Sequence, residues 1–282
     1  MKTILVPTDF SKNSLNAIDY AVALAKKENA KIILLNSYYF LPSSSDIPYP
    51  ADIIQSLRTD SINKLNFLCE EISKRKKIKC KMVSKFDLTV PAIIETATEK
   101  KAGLIVMGTK GASGLKEVLM GSNTASVIEK AKCPVIAVPE GVSFKEIKKI
   151  TYATDYHLGD IDALKKLVEI AKPFQAKITN LHASDEEFND FSEETYLKTF
   201  KNKVRKKIKY GKMAYQLEFG KQLPTVLERH IKESSPNLIA MSTRHRNLFE
   251  KIFGSSVTKK MSYHTTIPLI AFHYKKERTQ FI

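Results

Sequence analysis

The feature that most constrains this 282-residue chain is that it writes one pattern twice. Gly103 to Met107 (GLIVM) is followed by Pro134 to Val138 (PVIAV), and Asn237 to Met241 (NLIAM) by Pro268 to Phe272 (PLIAF). Met107 to Pro134 and Met241 to Pro268 are the same distance apart, so the segments align without a gap. The length suffices for two domains of ordinary size, each with its own core.

Periodicity supplies the elements. In the first half, Lys2 to Val6 reads as a buried strand, and a helix from about Ser11 turns Leu15, Ile18, Val22 and Leu24 toward the core. Lys31 to Asn36 is the second strand. A Pro/Ser-rich loop, Leu41 to Pro50, leads to a long helix through about Lys76. Lys79 to Phe86 is strand three, Val90 to Lys100 a helix, Gly103 to Met107 strand four, Asn123 to Ala131 a helix, and Pro134 to Val138 strand five. The second half repeats the order with strands at Lys148 to Tyr152, Lys177 to His182, Met213 to Phe219, Asn237 to Met241 and Pro268 to Phe272. Strands separated by helices of this length imply βαβ crossovers and parallel sheets. The expected fold class is α/β: two tandem doubly wound five-stranded parallel-sheet domains, 1–140 and 147–275. Pro139-Glu140-Gly141-Val142-Ser143 has the composition of a short linker between them.

Composition narrows the class. The 43% hydrophobic and 27% charged content suit a globular chain rather than a disordered one. No stretch approaches the roughly 20 apolar residues that span a bilayer. The opening MKTILVPTDFSKN has too short an apolar run for a signal peptide, so a cytoplasmic location without membrane partners is expected. Cys69, Cys80 and Cys133 are odd in number, far apart and in no C-x-x-C pair, which argues for reduced thiols and against a disulfide framework or a zinc site. The formal net charge of +16 asks for an anionic partner. Its densest runs, Lys74-Arg75-Lys76-Lys77 and Arg205-Lys206-Lys207, fall toward helix C-termini, where cations offset the helix dipole. Without interleaved aromatics to stack bases, a solvated surface outranks a nucleic-acid footprint. All six histidines lie in the second half and none makes an i,i+4 ligand pair with a nearby carboxylate, so no metal site is expected.

Two segments of the first half carry chemistry: Val6-Pro7-Thr8-Asp9-Phe10-Ser11 leaving strand one, and Met107-Gly108-Thr109-Lys110-Gly111 leaving strand four, with Gly121-Ser122-Asn123-Thr124 opening the next helix. In an open parallel sheet, ligands settle beyond the carboxyl ends of the strands, where strand order reverses. Gly108 and Gly111 let the backbone approach an anion. Gly121 and Ser122 lie where the N–H groups of a helix start are unpaired and the helix dipole favours negative charge. Ser122 and Thr124 add hydroxyls and Lys110 a positive charge, while Asp9, an acceptor when ionised, suits a ribose hydroxyl or an adenine amino group. The competing account is that these glycines mark turns while Ser122 and Asp9 cap helices. The chemistry alone leaves the two evenly matched. There is no GxxxxGK[ST] or GxGxxG motif.

VPTDFS and MGTKGASGLKEVLMGSNTASVIEKAKCPVIAVP resemble the universal stress protein family, whose ATP-binding members carry G-x2-G-x9-G-[ST]. The resemblance covers the first half fully and the second more weakly. It implies an adenine nucleotide α-hydrolase-like fold and a regulatory stress-response protein that binds ATP or another adenine nucleotide, with or without Mg²⁺. Asp9, with Pro7 and Thr8, would contact the nucleoside. Met107 and Gly108 would line the nucleotide, with Ser37 near adenine. Lys110, Gly111, Gly121, Ser122, Asn123 and Thr124 would surround the phosphates. It further implies that the final strands, Val135 to Val138 and Leu269 to Phe272, pair antiparallel as a pseudo-dimer; a homodimer of the chain is compatible with this. In the second half, Gly108 is replaced by Ser242, Gly111 by His245 and Gly121 by Ser255, so weak or no ATP binding is expected there. The alternatives are a slow ATP or nucleotidyl hydrolase and a charge-driven nucleic-acid binder.

Overall fold

A computed structural model describes residues 2–39, 51–110, 120–184, 190–220, 223–243 and 267–273. The chain divides into two compact units, the first built mainly from Met1–Phe144 and the second mainly from Lys145–Tyr263 with Leu269–Ile282.

The first unit runs β1 (Thr3–Pro7), α1 (Lys12–Glu28), β2 (Lys31–Tyr38), α2 (Ala51–Lys76), β3 (Cys80–Phe86), α3 (Thr89–Glu99), β4 (Leu104–Gly108), α4 (Ser122–Lys130) and β5 (Val135–Val138). Its sheet is parallel throughout, in the order β3-β2-β1-β4-β5. The chain therefore winds outward from β1 through β2 to β3, then crosses back to β4 and continues the other way. With right-handed crossovers this puts α1 and α2 on one face and α3 and α4 on the other. The switch of direction falls between β1 and β4, whose carboxyl ends are Pro7 and Gly108.

Burial follows from that layering. β1 and β4 are covered on both faces and buried along their whole length, which is why they read as continuous apolar runs. The edge strand β3 is half-exposed and more polar. β2 continues past Asn36 to Tyr38 because Ser37 and Tyr38 still find ladder partners in Lys85 and Phe86. Within α1, Ile18, Val22 and Leu24 are buried as the periodicity predicts, but Leu15 is 36% exposed. The buried stripe instead begins with two polar residues, Asn13 and Ser14, and proceeds through Ala17, Ile18 and Ala21. A hydrophobicity count cannot see this, because the end of α1 nearest the site buries polar groups.

The second unit comprises β6 (Lys149–Ala153), α5 (Asp160–Ala171) with a short 3₁₀ turn at Lys172–Phe174, β7 (Lys177–Ser184), α6 (Asp190–Lys207), β8 (Met213–Phe219), α7 (Leu223–Ser234), β9 (Leu238–Ser242) and β10 (Leu269–Phe272). Its parallel sheet has the order β8-β7-β6-β9-β10, the same winding as the first. The basic runs do end helices: Lys74, Arg75 and Lys76 occupy the last turn of α2, and Arg205, Lys206 and Lys207 that of α6. Among the described residues, no helix is long and apolar enough to cross a membrane.

Candidate functional site

At the carboxyl ends of β1 and β4 the first unit has a cavity of about 420 Å³. All the site residues read from the sequence line it except Gly111, which lies outside the described residues: Pro7, Thr8, Asp9, Ser37, Met107, Gly108, Lys110, Gly121, Ser122, Asn123 and Thr124. The fold brings them together because three strand ends and the start of α4 share one edge of the sheet.

The loop after β1 is held by a relay of hydrogen bonds. The Phe10 N–H donates to Thr8 Oγ1 (3.0 Å), the Thr8 and Ser14 hydroxyls are 2.9 Å apart, and Ser14 Oγ donates to the Ser11 carbonyl (3.0 Å). This bends the chain so sharply that Phe10, a non-glycine residue, sits at φ +63°. From β2, Asn36 Nδ2 donates to the Thr8 carbonyl at 2.8 Å. Asp9 is left exposed at the rim, with Oδ1 accepting the N–H (3.1 Å) and the hydroxyl (2.6 Å) of Ser11. Ser11, rather than Asp9, is the N-cap of α1.

The other wall is the start of α4. Its N-cap is Gly121, in an extended conformation and with no side chain to bond the first turn; Ser122 is the first helical residue, not the cap. The first intrahelical bond there runs from Ala125 N–H to the Gly121 carbonyl, so the amides of Ser122, Asn123 and Thr124 have no acceptor within the helix. Thr124 is buried, and its hydroxyl donates to the Gly108 carbonyl at 2.8 Å, so it pins α4 to β4 instead of offering a donor to the cavity. Lys110 sits half-buried beside this wall, its carbonyl accepting from Asn13 Nδ2 at 2.8 Å.

Gly108 plays a different part from the one its motif suggests. It is not in the positive-φ region, which among the described glycines only Gly141 occupies. A Cβ on Gly108 would instead lie 2.9 Å from Cγ and Nδ2 of Asn13 and 3.1 Å from its carbonyl oxygen. The glycine lets α1 approach β4.

Several cavity residues escape sequence reasoning: Ser14, Leu35, Tyr39, Thr89 and Ile93. Thr89 opens α3 immediately after β3, at the edge where every βα connection of a parallel sheet emerges, so the topology signals it although no motif does.

The second unit reproduces the β1 turn. Tyr156 N–H donates to Thr154 Oγ1 (3.0 Å) and Tyr156 sits at φ +57°, matching Phe10. Thr154 Oγ1 donates to the fully buried Asp160 where Thr8 meets Ser14, and His182 Nδ1 lies 2.9 Å from the Thr154 carbonyl where Asn36 meets that of Thr8. Tyr156 extends the turn into a packed cluster, its ring against His182 and Phe200 and its hydroxyl on the Gln216 carbonyl. The counterparts of the remaining site residues, from Arg244 to Thr258, lie outside the described residues, and so does His264.

One arrangement in the second unit resembles a catalytic triad: Thr151 Oγ1 is 3.1 Å from His230 Nε2, and His230 Nδ1 is 2.9 Å from Glu218 Oε1. Thr151 and His230 are each only 2% exposed, and Arg229 closes over the far carboxylate oxygen. This is an internal staple joining β6, α7 and β8. Among the described residues, no three His, Cys, Asp or Glu gather as a metal would require.

A parallel α/β unit written twice, the first with a polar cavity at its β1/β4 switch point, defines the class of fold, and comparison with known proteins assigns the family. The universal stress protein family model matches residues 1–139 and again 146–273, so the chain belongs to the universal stress protein family and carries two copies of its domain. A universal stress protein of Methanocaldococcus jannaschii is 34% identical over 144 residues, 49% of this chain and 81% of that protein. One from Bacillus subtilis is 32% identical, covering 48% of this chain and 97% of the other. The crystal structure of a universal stress protein from Archaeoglobus fulgidus superposes over 96% of this chain and 98% of that one, with a TM-score of 0.73 and 20% identity, so the two-domain fold is shared.

Proposed function

We propose that this chain is a regulatory stress-response protein whose first domain binds ATP or a related adenine nucleotide, with the second domain as a degenerate partner. One observation carries the assignment: the cavity ends on a helix start whose cap is a glycine, leaving the amides of Ser122, Asn123 and Thr124 without helical acceptors beside Lys110. Such an end favours a phosphate through both its N–H groups and the helix dipole. The cavity volume is within the roughly 300–1,000 Å³ typical of small-molecule sites. At the opposite rim, the exposed Asp9 accepts from Ser11 through Oδ1, and a carboxylate, an acceptor when ionised, suits a ribose hydroxyl or an adenine amino group. Leu35, Ile93 and Met107 supply apolar wall against which a base can lie. Magnesium, if present, would travel on the phosphates.

The proposal includes an antiparallel join of the domains through β5 and β10. Each is the last strand at one edge of its sheet and apolar throughout, a combination that invites aggregation when unpaired.

Calorimetric titration of the full chain with ATP, ADP and AMP tests the proposal. About one site per chain is expected. Two equivalent sites would remove the asymmetry between the domains, and the absence of heat with all three nucleotides would overturn the assignment.

A further inference from the structure

Cys69 lies near the end of α2 and Cys80 opens β3, a sequence separation that hides their proximity. The chain reverses between them through Lys77, at φ +56°, and brings the two Sγ atoms to 2.8 Å. That is only about 0.8 Å beyond a covalent S–S bond. Both thiols are half-buried, so each keeps an open side toward solvent, whereas Cys133 lies beyond β4 in the α4–β5 turn. All three are free thiols, as the sequence reading expects, and the α2–β3 packing brings together two that stand 11 residues apart in the chain.

We propose that Cys69 and Cys80 form a redox modification site, a dithiol that exchanges with a low-molecular-weight disulfide to close a reversible bridge between α2 and β3. The hydrogen bond from Cys80 holds the Cys69 thiol below the ordinary cysteine range, while hydrogen bonding to Cys69, then burial and the Cys69 charge, push Cys80 upward. Cys69 is accordingly the attacking thiolate, since nucleophilic exchange proceeds through the thiolate. Its sulfur attacks RS–SR, the S–S bond breaks, and one RS⁻ leaves and takes up a proton, giving a mixed disulfide on Cys69. With that thiolate consumed, the influence that held the proton on Cys80 is gone. Cys80 loses its proton to solvent, attacks Cys69 Sγ and expels the second RS⁻, which is protonated in turn. Two protein thiols are oxidised and one RSSR is reduced to two RSH.

The bridge would lie at the amino end of β3, across the sheet from the cavity at its carboxyl ends. It does not depend on nucleotide binding.

The test is incubation of the full chain with glutathione disulfide, followed by intact mass and peptide mapping. Wild type is expected to lose two hydrogens, to yield a Cys69–Cys80 cross-linked peptide that dithiothreitol cleaves, and to leave Cys133 open to alkylation. Cys80→Ser is expected to retain a glutathione adduct on Cys69 and Cys69→Ser one on Cys80, with neither variant closing a bridge. Wild type that stops at the mixed disulfide, remains reduced, or bridges through Cys133 would overturn the proposal, as would a bridge that still forms in either single variant. ATP titration of the bridged and reduced forms is expected to agree, so this proposal and the nucleotide assignment stand or fall separately.

Discussion

The side chain of Asn13 occupies the space that a β-carbon would need at Gly108, with Cγ and Nδ2 both 2.9 Å from where it would sit. Asn13 cannot simply swing away, because it is buried and its Nδ2 bonds the Lys110 carbonyl that shapes the cavity wall. The two residues are therefore one packing unit, and the positions that match them in the second domain carry the opposite pair, Gly159 and Ser242.

Gly108→Ser is expected to destabilise the chain by about 1–3 kcal/mol, the usual cost of overpacking a filled interior. Combining it with Asn13→Gly, the arrangement of the second domain, should cost less than the sum of the two single changes, by at least about 0.5 kcal/mol. Denaturant unfolding of the four proteins measures the coupling; strict additivity would show that the two side chains do not compete for space.

Lys110 and Asp9 should separate the two ends of the proposed ligand. Loss of a charge-assisted bond costs about 1.5–3 kcal/mol, so Lys110→Ala should weaken ATP by about tenfold or more while leaving adenosine unchanged. Asp9→Ala should weaken ATP and adenosine alike. Calorimetry with both ligands checks this, and equal losses for adenosine in the two variants would place Lys110 on the nucleoside.

The Thr151–His230–Glu218 staple predicts a stability effect without a catalytic one. His230→Ala strips the hydroxyl of Thr151 and one oxygen of Glu218 of a buried partner, at a cost of about 2–4 kcal/mol. ATP affinity should be unaffected. Urea midpoints and calorimetry together decide it: a lost binding site with unchanged stability would contradict the structural role.

Tyr20 makes alkaline stability measurable. It is buried edge-on to Phe144, with ring centroids 5.1 Å apart, and burial pushes its phenol well above the ordinary value of 10.0. A raised folded value means the contribution is complete below about pH 10 and is lost as pH rises beyond it, because the unfolded chain releases the proton first. Tyr20→Phe keeps the ring and removes the proton, so its unfolding midpoint in an alkaline titration should move to higher pH. An unchanged midpoint would assign alkaline unfolding to other groups, among them Tyr210 and Tyr215, which burial also shifts upward.

The lining of the candidate site was legible in outline because it follows topology. Pro7, Asp9, Lys110 and Ser122 are found by locating strand ends and helix starts, and those are written in short-range periodicity. What each residue does there was less legible. Thr124 has the hydroxyl of a phosphate donor but spends it on the Gly108 carbonyl, and Gly108 has the form of a phosphate glycine but yields to a helix. Leu15 fits an apolar stripe yet faces outward, since the stripe shifts to bury Asn13 and Ser14.

The duplication, the alternation of strands and helices and the edge where a ligand belongs follow from the amino-acid order alone, since hydrophobic period, glycine placement and equal spacing are local properties of a chain. Only the tertiary structure decided that Asn13 shadows Gly108, that Ser11 and Gly121 rather than Asp9 and Ser122 cap their helices, that His230 meets Glu218, and that Cys69 meets Cys80. Each of these relations joins residues whose meeting depends on how a loop turns or how one helix seats on a sheet, and steric fit between such surfaces has no periodic trace in sequence.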